Sequence, residues 1–160
     1  MHSNKAVIER FYTCFQQRDG DGMAACYHTD VQFSDPVFPD LRGPDAGAMW
    51  KMLCAGAKGF ELSFSDIHAD DARGSARWEA RYDFSATGRR VSNLVTSAFR
   101  FKDGLIVRQQ DHFSFWKWSV MALGPVGIFL GWTPLLRNKV RKQARKGLSR
   151  FMAPPGGQQS

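Results

Sequence analysis

The two side chains of this 160-residue chain best placed to move protons are Asp35 and Asp111. Asp35 lies in Val31-Gln32-Phe33-Ser34-Asp35-Pro36-Val37-Phe38, where a short strand meets a proline bend. A carboxylate among Phe33, Val37 and Phe38 is poorly solvated, which raises its pKa toward the range where protons are exchanged near neutral pH. Pro36 fixes its own φ and donates no backbone hydrogen bond, so the bend holds the acid at the strand end. The plainer alternative is a turn acid, since Asp before Pro is a common way to start a bend. Asp111 alternates with Val107, Gln109 and Phe113, a mixed apolar and polar lining that suits a pocket wall, while His112 points the other way. No metal is predicted: His2, His28, His68 and His112 are scattered without His-x-His or His-x3-His pairing. Gly20 and Gly22 precede no phosphate-loop signature.

Helices and strands must position these acids. Residues 4–17 read as a helix, with Ala6, Val7, Phe11, Cys14 and Phe15 at helical spacing. Asp19-Gly20-Asp21-Gly22 breaks it, and a short helix follows over about 22–28. A strand at 31–34 runs into the Asp35-Pro36 bend. Pro44 and Asp45 start a third helix to about Ala57, with Met49, Trp50, Leu53 and Cys54 as its apolar stripe. After Gly59 the period becomes two: Phe60, Leu62 and Phe64 alternate, then Trp78, Ala80, Tyr82 and Phe84. Thr87-Gly88-Arg89-Arg90 leads to a strand at 91–101, Lys102-Asp103-Gly104 is a hairpin turn, and 105–115 is the last strand. Helices first and strands afterwards predict an α+β fold, a curved, mostly antiparallel sheet wrapped around three N-terminal helices.

Hydrophobic residues make up 43% of the chain, including 13 Phe and 5 Trp, enough for one domain with a full core. Cys14, Cys26 and Cys54 are odd in number and lack CxxC spacing, so they read as inert buried thiols in a reducing compartment. The polar start His2-Ser3-Asn4-Lys5 argues against secretion. The net charge of +7 is local. All 15 acids precede residue 112, and seven bases stand at Arg137, Lys139, Arg141, Lys142, Arg145, Lys146 and Arg150. The remaining 15 bases balance the 15 acids, so the body is formally neutral and nucleic acid is not the expected partner. Trp118 to Leu136 carries no charge but is broken by Gly124, Pro125, Gly127, Gly131 and Pro134. Beyond it, Leu136, Val140, Ala144, Leu148 and Phe151 form a helical stripe against the basic face. Residues 1–116 thus read as the pocket domain, 117–152 as an apolar and then basic helical extension, and 153–160 as a disordered tail.

The element order, the Asp-Pro after the first strand, and the phrases Thr87-Gly88-Arg89, Phe99-Arg100-Phe101-Lys102-Asp103-Gly104 and Asp111-His112-Phe113 resemble the nuclear transport factor 2-like superfamily. That superfamily includes ketosteroid isomerase, polyketide cyclases and limonene-epoxide hydrolase. The resemblance covers residues 4–116 and implies a cone-shaped, usually dimeric fold with an apolar pocket. In this sequence that pocket draws on Phe11, Phe33, Trp50 and Val95, with Ser97, Gln109 and Phe113 beside them. Asp35 falls on the proton-shuttling carboxylate of ketosteroid isomerase, Phe11 on its oxyanion tyrosine and Ser97 on its protonated oxyanion acid. Neither replacement is the donor that the isomerase uses, and each lost donor costs about 3 kcal/mol of oxyanion stabilisation. Arg81-Tyr82-Asp83 with Asp111 resembles the limonene-epoxide hydrolase arrangement, in which an arginine between two acids keeps one ionised and lets the other hold a proton. Alternation leaves a second reading open: if Trp78, Ala80, Tyr82 and Phe84 point inward, Arg81 and Asp83 face solvent.

These readings imply a cofactor-independent isomerase, cyclase or epoxide-hydrolase-like enzyme with catalytic candidates Asp35, Asp111, Asp83 and Arg81. The alternative is a non-catalytic ligand-binding or peripheral membrane-associated module. The expected partners are a small hydrophobic molecule, a second copy of the chain and an anionic membrane surface reached through Arg137–Arg150. The expected location is cytoplasmic or peripheral at the inner membrane face. The run 118–136 has three readings: a membrane span, an interfacial anchor, or packing over the cone mouth or a partner subunit.

Overall fold

The computed structural model describes residues 2–153. Pro154 onward, the greater part of the expected disordered tail, lies outside the described residues. The first helix, α1 (Ser3–Gln16), buries Ile8, Phe11, Tyr12 and Phe15, a stripe at spacings of three and four. Asn4 donates from Nδ2 to the carbonyl of Asp70, 3.0 Å away, pinning the helix start to the sheet. α2 (Gly20–Ala25) is capped by Asp19, whose Oδ1 accepts from the Gly22 N–H at 2.9 Å. α3 (Pro44–Gly56) starts with proline at its first turn, as the sequence predicts, and buries Met49, Trp50 and Cys54.

The strands are β1 (Tyr27–Ser34), β2 (Leu41–Arg42), β3 (Glu61–Ala69), β4 (Arg73–Asp83), β5 (Arg90–Lys102) and β6 (Leu105–His112). They form one sheet in the order β2-β1-β6-β5-β4-β3. β3 to β6 make the expected antiparallel meander. β1 joins parallel to β6, so the first strand and the last are neighbours. Register shifts at Ser65/His68, where Asp66 has φ 54°, and at Arg100/Phe101 bend the sheet around the helices. The concave side carries an aromatic core of Phe11, Tyr12, Phe15, Phe33, Trp50 and Trp78, packed edge-to-face at centroid distances of 5.1–6.3 Å. This is the predicted α+β architecture.

Three helices follow the sheet: α4 (Phe115–Leu123), α5 (Pro125–Leu130) and α6 (Pro134–Met152). Pro125 and Pro134 each open a helix, which explains why the charge-free run breaks there. α4 seats Phe115, Trp118 and Ala122 on Val91, with Tyr82 and Phe84 packed around them. The Trp118 indole donates to the Tyr82 hydroxyl at 2.9 Å, and Thr87 and Arg89 donate to the carbonyls of Ala122 and Met121 at 2.6 and 2.8 Å. α6 returns to the body, where Leu148 and Ala144 join the main core and Arg141 donates to the carbonyl of Pro36 at 2.8 Å.

α4 and α5 pack unusually close because Gly127 and Gly131 have no side chains. A Cβ at Gly127 would strike the backbone of Ser119, and one at Gly131 would strike the Ser119 hydroxyl. Gly127→Ala is therefore expected to push α5 off α4 at a cost of about 1–3 kcal/mol. Limited proteolysis should show faster cleavage between residues 124 and 133 while the body stays intact.

Candidate functional site

Asp111 is held by six polar side chains that the fold gathers from α1, α3, β1, β4, β5 and β6. Alternation turns Val95, Ser97 and Phe99 of β5 inward, and Gln109 and Asp111 of β6 likewise. The register places Ser97 beside Asp111 and Phe99 beside Gln109. Asp111 is 3% exposed, so its polar atoms must find partners within the protein. Its Oδ1 accepts from the Ser97 hydroxyl at 2.6 Å and from the Gln109 amide at 3.0 Å. Ser97 Oγ in turn accepts from the Tyr12 hydroxyl and from the Trp78 indole, both at 2.8 Å. On the other side, Gln109 Oε1 accepts from the Tyr27 hydroxyl at 2.6 Å, and Tyr27 accepts from the Trp50 indole at 2.7 Å.

The direction of this network follows from its ends. Indole N–H groups only donate, so Trp50 and Trp78 orient every hydroxyl between them and the acid. Ser97 Oγ receives two donors and has only its own proton to give, which goes to Asp111 Oδ1. The other carboxyl oxygen, Oδ2, is buried and has no partner among the described residues. A proton on Oδ2 fits this arrangement. Burial pushes the Asp111 pKa up to about 7, against the opposing Ser97 and Gln109 hydrogen bonds, and the nearby charge of Asp35 adds to the rise.

Asp35 follows β1 directly. Its Oδ1 accepts from the backbone N–H groups of Val37 and Phe38 at 2.7 and 2.6 Å, and its own N–H donates to the Phe38 carbonyl at 2.9 Å. Both sequence readings therefore meet in one residue, since the acid shapes the turn and is also half-buried. Burial raises its pKa to about 6, against the two backbone hydrogen bonds and the positive charge of Arg141. Asp35 Oδ2 makes no hydrogen bond among the described residues. Because Asp35 has the lower value, it ionises first, and its charge then helps Asp111 to keep a proton.

Arg81 and Asp83 are not brought to this pair. Trp78 and Ala80 are the inward residues of β4, so Arg81 and Asp83 project from the outer face. Arg81 pairs there with Glu61 at 3.2 Å and Glu79 at 3.0 Å, and Asp83 pairs with Arg90 at 3.2 Å. The arginine-between-two-acids arrangement expected from the epoxide-hydrolase resemblance is not assembled, because β4 turns its apolar side to the core. Phe11, Phe33, Trp50, Val95, Ser97 and Gln109 are all buried and Phe113 is half-buried, so the expected lining residues pack on one another. Two hollows, of about 260 and 320 Å3, open elsewhere: one on the outer sheet face near Arg77 and Leu94, the other between Val37–Leu41 and α6. Neither is lined by Asp35 or Asp111.

The sequence reading missed Tyr12, Tyr27 and Trp78 as members of the acid's network. Phe11, one position earlier, is the residue the sequence offers for the pocket, yet it is Tyr12 whose hydroxyl reaches the sheet. Aromatic residues with a polar tip at inward positions were the available signal.

A family model described as "SnoaL-like domain" matches residues 8–109. No curated protein matches the chain. Among solved structures, an epoxide hydrolase of limonene-epoxide hydrolase type from M. tuberculosis is 22% identical, covering 84% of this chain and 95% of its own, with TM-score 0.62. A polyketide cyclase candidate from a Silicibacter species is also 22% identical, covering 75% and 95%, with TM-score 0.66. A protein with a ketosteroid isomerase-like fold from Catenulispora acidiphila, in complex with trimethylamine, is 10% identical, covering 80% and 97%, with TM-score 0.65. At these identities the likeness is one of fold.

Proposed function

The chain belongs to the SnoaL-like domain family, whose fold is shared by cyclases, isomerases and epoxide hydrolases, and from that premise we propose that it is a cofactor-independent enzyme moving a proton on a small hydrophobic carbonyl compound. One observation carries this reading: Asp111 has one oxygen fully satisfied and the other buried without a partner, with the ionisable Asp35 near enough for its charge to be felt. Ionised Asp35 takes a proton from the carbon next to the carbonyl. The electron pair moves onto the carbonyl oxygen, which receives a hydrogen bond from the proton on Asp111 Oδ2. Asp35 then returns its proton to a different carbon, and the bond order is redistributed without loss of atoms. Outward-facing Arg81 and Asp83 are left out, which disfavours addition of water by the epoxide-hydrolase arrangement.

The substrate reaches the acids at the seam where Val37, Tyr82 and Phe113 touch both the main core and the α4 cluster. A shift of α4 there opens space beside Asp35. We further propose a homodimer, as the family resemblance implies.

The test is turnover of a panel of β,γ-unsaturated ketones and aliphatic epoxides in D2O and, separately, in 18O-labelled water. A shifted double bond without 18O-labelled diol supports the proton shuttle, with deuterium at carbon only to the extent that the proton on Asp35 exchanges with solvent. An 18O-labelled diol assigns hydrolysis instead, and binding without turnover by parent and Asp35→Asn alike assigns a non-catalytic pocket.

A further inference from the structure

Eight of the eleven large hydrophobic side chains left exposed among the described residues lie in the extension, so its surface differs in kind from the body's. Phe129, Trp132 and Leu135 are 71, 70 and 76% exposed. Trp116 lies against the same segment, its indole donating to the Ile128 carbonyl at 3.4 Å. The tight α4–α5 packing at Gly127 and Gly131 turns this apolar row outward on a firm support.

The row runs straight into a basic face. On α6, Leu136, Val140, Ala144 and Leu148 pack toward the body. Leu135, Lys139, Lys142 and Lys146 follow at spacings of three and four on the opposite side, all exposed. Arg145 is the one base of this helix in an ion pair among the described residues, 3.5 Å from Asp45. No acid follows Asp111 in the sequence. An apolar ridge with tryptophans at its edge, continued by unpaired lysines, matches the layering of an anionic bilayer, with hydrocarbon below and phosphate above. A second copy docked on the same patch would bring two basic faces together. No described helix is long and apolar enough to cross a membrane.

We propose that the extension docks the protein on anionic lipid bilayers. Phe129, Trp132 and Leu135 enter the headgroup region, and Lys139, Lys142 and Lys146 meet lipid phosphates. This contact is independent of the chemistry assigned to Asp35 and Asp111.

The full chain is to be sedimented with vesicles of phosphatidylcholine alone and of phosphatidylcholine mixed with phosphatidylglycerol, at low and high salt. Strong binding to the mixed vesicles is expected, weakening with salt and accompanied by a blue shift of tryptophan emission. Reversing Lys139, Lys142 and Lys146 to Glu should weaken it on the order of a hundredfold or more, given what each surface lysine contributes. The double variant Phe129→Ser, Trp132→Ser should abolish the blue shift. Its sites are exposed, so circular dichroism and melting should match the parent, and it decides the matter if the charge-reversed variant fails to fold. Asp35→Asn should bind vesicles as the parent does, which separates this outcome from any result on catalysis. Equal binding to neutral vesicles, binding undiminished by both variants, or no binding at all overturns the proposal. So does a dimer that the double variant converts to monomer without any vesicle binding, a result that assigns the row to a second copy.

Discussion

Asp111→Asn is expected to be the more stable protein at pH 8, by on the order of 4 kcal/mol, by only about 1.6 kcal/mol at pH 5, and equal to its parent below about pH 3.8. The size comes from a folded pKa of about 7 against 3.8 for the free acid, at about 1.4 kcal/mol for each pH unit between them. The sign follows from proton counting. Between those two values the folded state keeps a proton that the unfolded chain has released, so this group's stabilising contribution is full below about pH 3.8 and is lost as pH rises through about 7. Asparagine cannot ionise, yet its oxygen can accept from Ser97 and Gln109 as Asp111 Oδ1 does. Its amide then sits where the protonated Oδ2 was, so little changes at low pH. Urea unfolding of both proteins at pH 5 and pH 8 measures the effect. Parallel stability curves for the two would show that the acid is not held neutral by its surroundings.

Asp35→Asn is expected to keep the fold and lose turnover by about 100- to 10,000-fold in kcat on whichever substrate the ketone panel yields. The two backbone N–H groups of Val37 and Phe38 still find an amide oxygen, so the turn survives, whereas the proton acceptor does not. In the parent, activity needs Asp35 ionised and Asp111 protonated, which places a narrow maximum between about pH 6 and about pH 7. A kcat reduced by less than threefold, or a parent profile flat across that interval, would remove Asp35 from the chemistry.

Local signals in the sequence were read well. Proline at the start of α3 and the Asp103-Gly104 turn, with φ of 54° and 75°, fall where residue type demands. The helices expected over 4–17 and 45–57 are found at Ser3–Gln16 and Pro44–Gly56. The start of β1 was not legible: Tyr27 to Asp30 do not alternate, and the pairing with β6 is irregular between Tyr27 and Gln32. That parallel pairing joins residues far apart in sequence and leaves no local trace. For the site, alternation placed Gln109 and Asp111 on one face, and the aromatic surroundings of Asp35 announced its shifted acidity. Tyr12 was hidden because a helix shows its core stripe more clearly than the one hydroxyl within it. Arg81 and Asp83 failed as partners of Asp111 for a reason the sequence did carry, the inward row of Trp78 and Ala80.

The network around Asp111 also bears on biosynthesis. Tyr12 and Tyr27 leave the ribosome early, but the groups that orient them, Ser97 and Gln109, emerge many residues later. Until then the amino-terminal helices carry hydroxyls and indoles that have nowhere to point, and β1 lacks its neighbour β6. The network around the acid can therefore close only after residues 97–111 have been made, late in synthesis.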